Sequence, residues 1–133
     1  PTKKPIAAFA LSALMASLTG VVEEVTFRGQ LIPFFANRFA DGDILTGAAI
    51  STLLFAFLHT NPTSFFKGGD AFLDNAVLLS LQLVNGAAFA ILYLATGDLA
   101  VSILAHALYD FYTFYKTHMV DVAGQMEYAR DKK

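Results

Sequence analysis

Residues 6–28 read IAAFALSALMASLTGVVEEVTFR, an uncharged apolar run from Ile6 to Val22 that leads into two adjacent carboxylates, Glu23 and Glu24, and then Arg28. The run is close to the roughly 17 to 25 helical residues that cross a hydrocarbon core of about 30 Å. The stretch therefore predicts a membrane-spanning helix. The acidic pair at its end marks either the water boundary of that span or a polar site built into it.

The composition of the whole chain also favours the membrane. Of the 133 residues, 56% are hydrophobic and 15% are charged, and the mean hydropathy is +0.53. A soluble domain carries about 25% charged residues. Because small domains bury the smallest fraction of their surface, a soluble chain of this size could not hide so much apolar surface from water.

The charge balance and the absence of cysteine exclude several kinds of function. A net charge of −2 and a pI near 5.8 give no basic surface for nucleic acid, so no nucleic-acid partner is expected. With no cysteine, the chain has no disulfide, no thiolate nucleophile and no sulfur ligand for a metal. Any metal would be held by His, Glu or Asp side chains.

The apolar segments of the chain predict its fold class. There are four of them: Ile6–Val22, Ile44–Leu58, Ala76–Thr96 and Leu99–Tyr115. We expect an all-α, polytopic bundle of about four transmembrane helices, forming a single domain over residues 1–133. Such a protein is multi-pass and, in a prokaryote, would lie in the cytoplasmic membrane.

Two further segments flank these spans. Gln30–Phe39 is apolar with a basic end at Arg38, and its Pro33 favours a bend or a fresh helix start. This pattern predicts an interfacial or re-entrant segment between the first two spans. Residues 117–133 predict a polar tail.

Ionisable side chains within the spans are the candidate functional residues. On the translocon scale such a group costs about 2.5 to 3.5 kcal/mol at the centre of a span, so it usually faces a cavity or a partner. These groups are Glu23 with Glu24, His59, His106 and Asp110.

The two adjacent carboxylates are predicted to differ. Glu24 precedes Arg28 by four residues, which is the favourable order for an ion pair on one helical face. Glu23 points about 100° away, on the face of Phe27, with no basic residue one turn along. Glu24 is thus expected to be neutralised by Arg28, and Glu23 is the carboxylate available for chemistry.

The histidines lie at helical spacing from polar or aromatic neighbours. Phe55 and His59 are four residues apart at the end of the second apolar stretch, and His106 and Asp110 are four apart in the last. Taken singly, His59 is more typical of an interfacial side chain than of a catalyst, and the His106–Asp110 pair fits a structural hydrogen bond as well as a functional role. Taken with Glu23, they form a Glu, His, His, Asp set that suits water activation and oxyanion binding, or zinc ligation through nitrogen and oxygen.

Three motifs stand in order on separate apolar segments: Glu23-Glu24-x-x-x-Arg28, Phe55-x-x-x-His59 and His106-x-x-x-Asp110. They resemble the motifs of the CPBP family of intramembrane proteases, also called the CAAX prenyl protease type II or ABI family. In that family the motifs read Glu-Glu-x-x-x-Arg, Phe-x-x-x-His and His-x-x-x-Asn or Asp. The resemblance covers roughly Val21 to Asp110, the catalytic core of the family.

The resemblance implies an endopeptidase that acts within or at the membrane on a membrane-associated peptide or protein. It implies that Glu23 is the general base, that Glu23 and His59 hold the attacking water, and that Glu24, Arg28 and Phe55 support them.

The resemblance also implies that His106 and Asp110 supply the oxyanion site or orient the substrate. Where some members carry Asn, this chain has Asp110. An ionised Asp cannot donate a hydrogen bond as an amide does. Asp110 is therefore expected either to be protonated or to orient His106.

Two mechanisms are compatible with the resemblance, because the family has been argued to be both metal-free and metal-dependent. If a metal is used, zinc would be held by Glu23, His59 and His106. Arg28 beside Glu24 places a cation near the site, which favours a metal-free glutamate mechanism. We therefore expect no cofactor, with zinc as the alternative.

The extent of the chain raises a further expectation. It begins Pro1-Thr2 without methionine, and members of the family generally have more than four spans. We expect either a fragment whose first helices lie upstream or a minimal member completed by a partner subunit or a homo-oligomer.

Two functions outside catalysis compete with the protease. One is an inactive membrane immunity or scaffold protein that keeps the polar residues for helix packing. The other is an ion or proton relay, since intramembrane Glu, His and Asp also build such paths. The short loops and the lack of broken-helix symmetry favour the protease over the relay.

Overall fold

The computed structural model describes residues 5–121 together with Gly124, Tyr128 and Arg130. Every regular element in this part of the chain is helical, which confirms the all-α prediction. In order, the elements are α1 (Pro5–Glu24), a π-helix (Val25–Leu31), α2 (Ile32–Phe39), α3 (Ile44–Leu58), a 3-10 helix (Pro62–Phe66), α4 (Gly69–Thr96), α5 (Leu99–Lys116) and a second π-helix (Thr117–Asp121).

The first three elements follow one another without a non-helical residue, from Pro5 to Phe39. A seven-residue π-helix, Val25–Leu31, begins directly after Glu24 and ends just before Pro33 at the start of α2. Proline lacks the N–H that an α-helix would use at this place, and the change of helical type falls beside it. The fresh helix start predicted at Pro33 is thus a change from π-helix to α-helix within a continuous helical path. Short π-helical turns of this kind are frequent at functional sites.

The remaining helices match the predicted spans with one extension. The bounds of α3 coincide with the predicted stretch, whereas α4 begins at Gly69, before the apolar stretch that starts at Ala76. Asp70 lies in the first turn of α4, where the helix dipole favours a negative charge. The helix therefore includes polar residues that hydropathy alone assigns to the preceding loop.

Aspartates start the helices that follow the short loops. Asp43 accepts hydrogen bonds from the N–H groups of Leu45 and Thr46, both at 3.2 Å, at the N-terminus of α3. A hydrogen bond from the Thr46 hydroxyl, and then that from Leu45, lower the pKa of Asp43 below its usual range. Asp98 accepts from the N–H of Ala100 at 2.8 Å at the N-terminus of α5.

The described surface is apolar and the interior is partly charged, the reverse of a soluble domain. Glu24, Arg28 and His106 are at most 4% exposed, while large apolar side chains face outward on the long helices. Two helical stretches, Pro5–Phe39 and Gly69–Thr96, are long and apolar enough to span a membrane, and Ile44–Leu58 is a shorter apolar helix. Only 22% and 17% of their most apolar windows are buried, which is unlike the core helix of a soluble protein.

The described part of the chain divides into two compact units, one drawn from residues 5–22 and 103–121 and the other from residues 23–102. In the first unit Phe9 packs edge-on against Phe111 with ring centroids 5.0 Å apart. In the second, Ile32, Ala48 and Ala90 form a small apolar core with Tyr93 and Leu94 packed against it. The predicted polar tail, residues 117–133, is described as far as Asp121 and at three residues beyond, so most of it lies outside the described residues.

Within the second unit, α2 and α3 pack closely through Gly47. A Cβ added there would meet the Ile32 carbonyl oxygen and would lie 2.9 Å from both the Cβ and the backbone nitrogen of Ala36. Since these are mostly backbone atoms, they cannot move aside. We expect Gly47→Ala to lower the free energy of unfolding by about 1 to 3 kcal/mol, the usual cost of overpacking. Denaturation in mixed detergent micelles, followed by circular dichroism, measures this.

Gly29→Ala is the matched control. A Cβ there would meet the flexible end of Leu99 at 3.4 Å, which is an ordinary contact. Alanine also favours a helix over glycine by about 0.8 to 1.0 kcal/mol. The control should therefore lose no stability, and equal effects of the two substitutions would contradict the assignment of Gly47 as a close-packing position.

Candidate active site

The first polar feature is an ion pair at the junction of α1 and the π-helix. The Arg28 Nη1 donates to Glu24 Oε1 at 2.8 Å, as the spacing of four residues predicts. The Nη2 of the same guanidinium donates to the Gly86 carbonyl of α4 at 2.7 Å. Arg28 is 1% exposed and Glu24 is 0% exposed, so the pair is stable only if its remaining polar atoms are also satisfied.

The surroundings supply those further partners. The Ser102 hydroxyl donates to the second carboxylate oxygen of Glu24. The guanidinium carbon of Arg28 lies 4.7 Å from the centre of the Phe55 ring and 5.6 Å from that of Phe89, both within cation–π range. We refer to Glu24, Arg28, Gly86 and Ser102 as the Arg28 network. It joins three helical segments of the second unit around one charge.

The second polar feature is the pair formed by Glu23 and His59. The Oε2 of Glu23 lies 3.4 Å from the Nε2 of His59, and the two side chains are 22% and 31% exposed, respectively. Glu23 is also close enough to Arg28 for an electrostatic attraction. Sequence spacing placed Arg28 with Glu24 alone, so this second attraction was not anticipated.

The ring of His59 is held by its own helix. Its Nδ1 lies 2.7 Å from the Phe55 carbonyl oxygen, and the Phe55 and His59 rings pack with centroids 4.3 Å apart. Because a carbonyl oxygen only accepts, Nδ1 carries the proton. In the neutral form of the ring, Nε2 then presents a lone pair towards Glu23.

The pair has the chemistry to polarise one water molecule, although the Oε2 atom of Glu23 is closed to solvent in this structure. A water within about 2.8 Å of both Glu23 Oε2 and His59 Nε2 can donate one O–H to each atom, at an ordinary hydrogen-bond distance. Its oxygen lone pairs are then directed away from both acceptors. A carboxylate in this position can remove a proton from the water as the water attacks a carbon atom.

The third polar feature is the pair formed by His106 and Asp110 on α5. The Nε2 of His106 lies 3.5 Å from the Oδ2 of Asp110, and the side chains are 4% and 14% exposed. The predicted one-turn pairing is therefore present. This pair belongs to the first compact unit, whereas Glu23 and His59 belong to the second.

Among residues 5–121 and the three described residues beyond them, no three or more His, Asp or Glu side chains form a group that could hold a metal ion.

The sequence did not reveal the partners of the Arg28 network. Gly86, Phe89 and Ser102 lie in apolar stretches where a glycine, a phenylalanine or a serine is ordinary. Ser80 in the same kind of stretch bonds to the carbonyl of Ala76, four residues earlier on its own helix. Nothing in the sequence distinguishes Ser102 from such a serine.

Buried charged groups, exposed apolar helix surfaces and an adjacent acid–imidazole pair define an all-helical protein suited to a membrane, with a polar centre. Residues 5–112 match the family described as type II CAAX prenyl endopeptidase Rce1-like, and the chain belongs to this family. Its membership confirms the resemblance of the three motifs and makes the protein one of a family of membrane-embedded proteases with peptide or protein substrates. Comparisons with curated proteins and with solved structures gave no match.

Proposed function

We propose that this protein is an intramembrane endopeptidase of the glutamate type, in which Glu23 and His59 activate the water that hydrolyses the peptide bond. The observation that carries the proposal is the approach of Glu23 Oε2 to His59 Nε2 at 3.4 Å, with the opposite ring nitrogen engaged by the Phe55 carbonyl. Both side chains are partly exposed, unlike the fully buried Glu24 and Arg28, although the Oε2 atom of Glu23 is itself shielded from solvent.

The reaction follows from general base chemistry. The water held by the two side chains attacks the scissile carbonyl carbon while Glu23 takes one of its protons, and a tetrahedral oxyanion forms. Glu23 then gives this proton to the amide nitrogen, the C–N bond breaks, and the products are a carboxylic acid and an amine. Water is consumed, and the protein is restored to its starting protonation state.

The two carboxylates of the acidic pair have different roles in this proposal. Glu24 is neutralised in the Arg28 network and braces the end of α1. Glu23 remains the base, and Arg28 is close enough to attract its charge. For His106 and Asp110 we retain the role implied by the resemblance, in which Asp110 orients His106 for oxyanion binding or substrate placement. The 3.5 Å separation of this pair is compatible with such orientation.

The Arg28 charge is also the reason for preferring a metal-free reaction. A guanidinium that attracts both Glu23 and Glu24 opposes a divalent cation at the same carboxylates. The alternative is a zinc-dependent reaction, in which Glu23, His59 and His106 would be the ligands and zinc would lower the pKa of its bound water.

The setting of the reaction is the lipid bilayer. We propose a single-domain, multi-pass protein whose exposed apolar side chains face lipid and whose substrate is a membrane-associated peptide or protein. A partner subunit or a second copy would complete the bundle if further spans are required.

The test uses the purified protein in lipid nanodiscs with membrane-anchored peptides as substrates. Cleavage is expected, and His59→Ala should lower kcat/KM on the order of 10³-fold, because general acid–base groups contribute about 10² to 10⁴. His118→Ala, which alters an exposed histidine of the same chain, should leave the rate unchanged. Mass spectrometry of the products locates the bond, and one ¹⁸O from labelled water should appear in the new carboxylate.

Chelation separates the two mechanisms. Cleavage should persist in phenanthroline and in EDTA. Loss of activity on chelation, with recovery on adding zinc, would establish the zinc alternative instead. A wild-type protein that binds the peptides without cleaving any of them would support the scaffold alternative.

A further inference from the structure

We infer that Asn75, on α4, is a positioning residue for His59; the inference rests on the proposed function. The Asn75 side chain forms two hydrogen bonds with the backbone of a single residue, Asn61. Its Oδ1 accepts from the Asn61 N–H at 2.9 Å, and its Nδ2 donates to the Asn61 carbonyl at 3.1 Å. Asn75 is 5% exposed, and the two bonds are partly shielded from solvent.

Asn61 lies two residues after His59, in the segment where the chain leaves α3. His59 caps α3, and the N–H of Thr60 still bonds to the Phe57 carbonyl at 3.1 Å. Asn61 then turns to an extended conformation, and its side chain caps the 3-10 helix that follows. The path of this segment sets the position of the His59 backbone. Asn75 holds Asn61, the extended residue of that segment.

The two hydrogen bonds require a side chain that both donates and accepts. A primary amide meets the N–H and C=O of one extended residue in this way, much as a neighbouring strand would. Alanine at residue 75 would leave both backbone groups of Asn61 without these partners at a part-buried place, which is unfavourable wherever water cannot replace them. The segment would then move to find other partners.

His59 is thus fixed from two directions. The Phe55 carbonyl sets the orientation of the imidazole through Nδ1, and Asn75 sets the backbone that follows. The same helix α4 also supplies Gly86 and Phe89 to Arg28. Because a misplacement of about 1 Å at a reacting group can lower the rate by about 10²-fold, holding this segment affects catalysis and not only stability.

The experiment compares Asn75→Ala and Asn75→Gln with Asn85→Ala in nanodiscs. Asn85→Ala is the matched control, because it removes the same amide from the same helix and the Nδ2 of Asn85 has no hydrogen-bond partner among the described residues. Asn75→Gln keeps both polar groups but places them one methylene farther out, so it should fold even if Asn75→Ala does not. We expect kcat to fall about 10- to 100-fold in both Asn75 variants. KM should stay within about twofold, since substrate binding does not involve this segment.

A second measurement does not depend on activity. The chain contains three histidines, so imidazole nitrogen resonances can be assigned by substitution in a protein with ¹⁵N-labelled histidine. The His59 resonances should shift in the Asn75 variants, those of His106 should not, and Asn85→Ala should alter neither.

The outcomes separate this inference from the proposed function. Wild-type kcat together with unchanged His59 resonances in Asn75→Gln would overturn the role of Asn75 and leave the role of Glu23 intact. If Glu23→Gln proved fully active, the proposed mechanism would fail, yet a shift of the His59 resonances would still show that Asn75 positions that residue.

Discussion

Glu23→Gln is expected to lower kcat/KM for peptide cleavage by about 10³-fold or more, while leaving the protein folded and inserted. Glutamine has nearly the size and polarity of glutamate but cannot accept the proton of the attacking water. Glu23 is 22% exposed and lies outside the fully buried Arg28 network, in which Glu24 makes the direct ion pair with Arg28, so removing the Glu23 charge leaves that pair intact. The loss should therefore lie in catalysis and not in stability.

The assay compares initial rates in nanodiscs, with circular dichroism to establish that the variant is folded. Asp41→Asn is a matched control, because it makes the same change from carboxylate to amide at an exposed residue. Its rate should equal that of the wild type. Retention of cleavage by Glu23→Gln would refute Glu23 as the base, and an equal loss of activity and helicity would favour the scaffold alternative.

Arg28→Met is expected to cause the largest loss of stability, about 3 to 5 kcal/mol in the free energy of unfolding, because it leaves a buried charge uncompensated. The substitution removes the partner of Glu24 Oε1 and the donor to the Gly86 carbonyl. It also removes the cation between the Phe55 and Phe89 rings. Glu24, 0% exposed, would be left as a carboxylate with the Ser102 hydroxyl still donating to it.

The double variant Glu24→Gln/Arg28→Met tests the physical cause. Once neither side chain is charged, much of the lost stability should return, so the effects of the two single substitutions should be far from additive. Detergent denaturation of the wild type, both single variants and the double variant provides the cycle. Additive effects would mean that Arg28 contributes through packing and that the ion pair is not the source of its stabilisation.

The two carboxylates of the acidic pair illustrate how far sequence reasoning extended. Their inequality followed from helical spacing, since residues four apart on a helix are neighbours whatever the rest of the fold does. The same rule correctly predicted the pairs Glu24–Arg28 and His106–Asp110. The catalytic role of Glu23 stays a prediction until it is measured.

The sequence by itself determined the helical fold, the apolar segments, the family motifs and these one-turn pairs, because hydropathy and helical periodicity are local properties. Only the tertiary structure decided which distant residues these side chains contact. Arg28 bonds to Gly86 58 residues away, and Glu24 to Ser102 78 residues away. Asn75 bonds to the backbone of Asn61, although hydropathy alone assigned the start of α4, which includes Asn75, to the preceding loop. Contacts of this kind depend on how separate helices pack. The presence of an amide, a serine or a glycine in an apolar stretch therefore does not reveal which distant group it contacts.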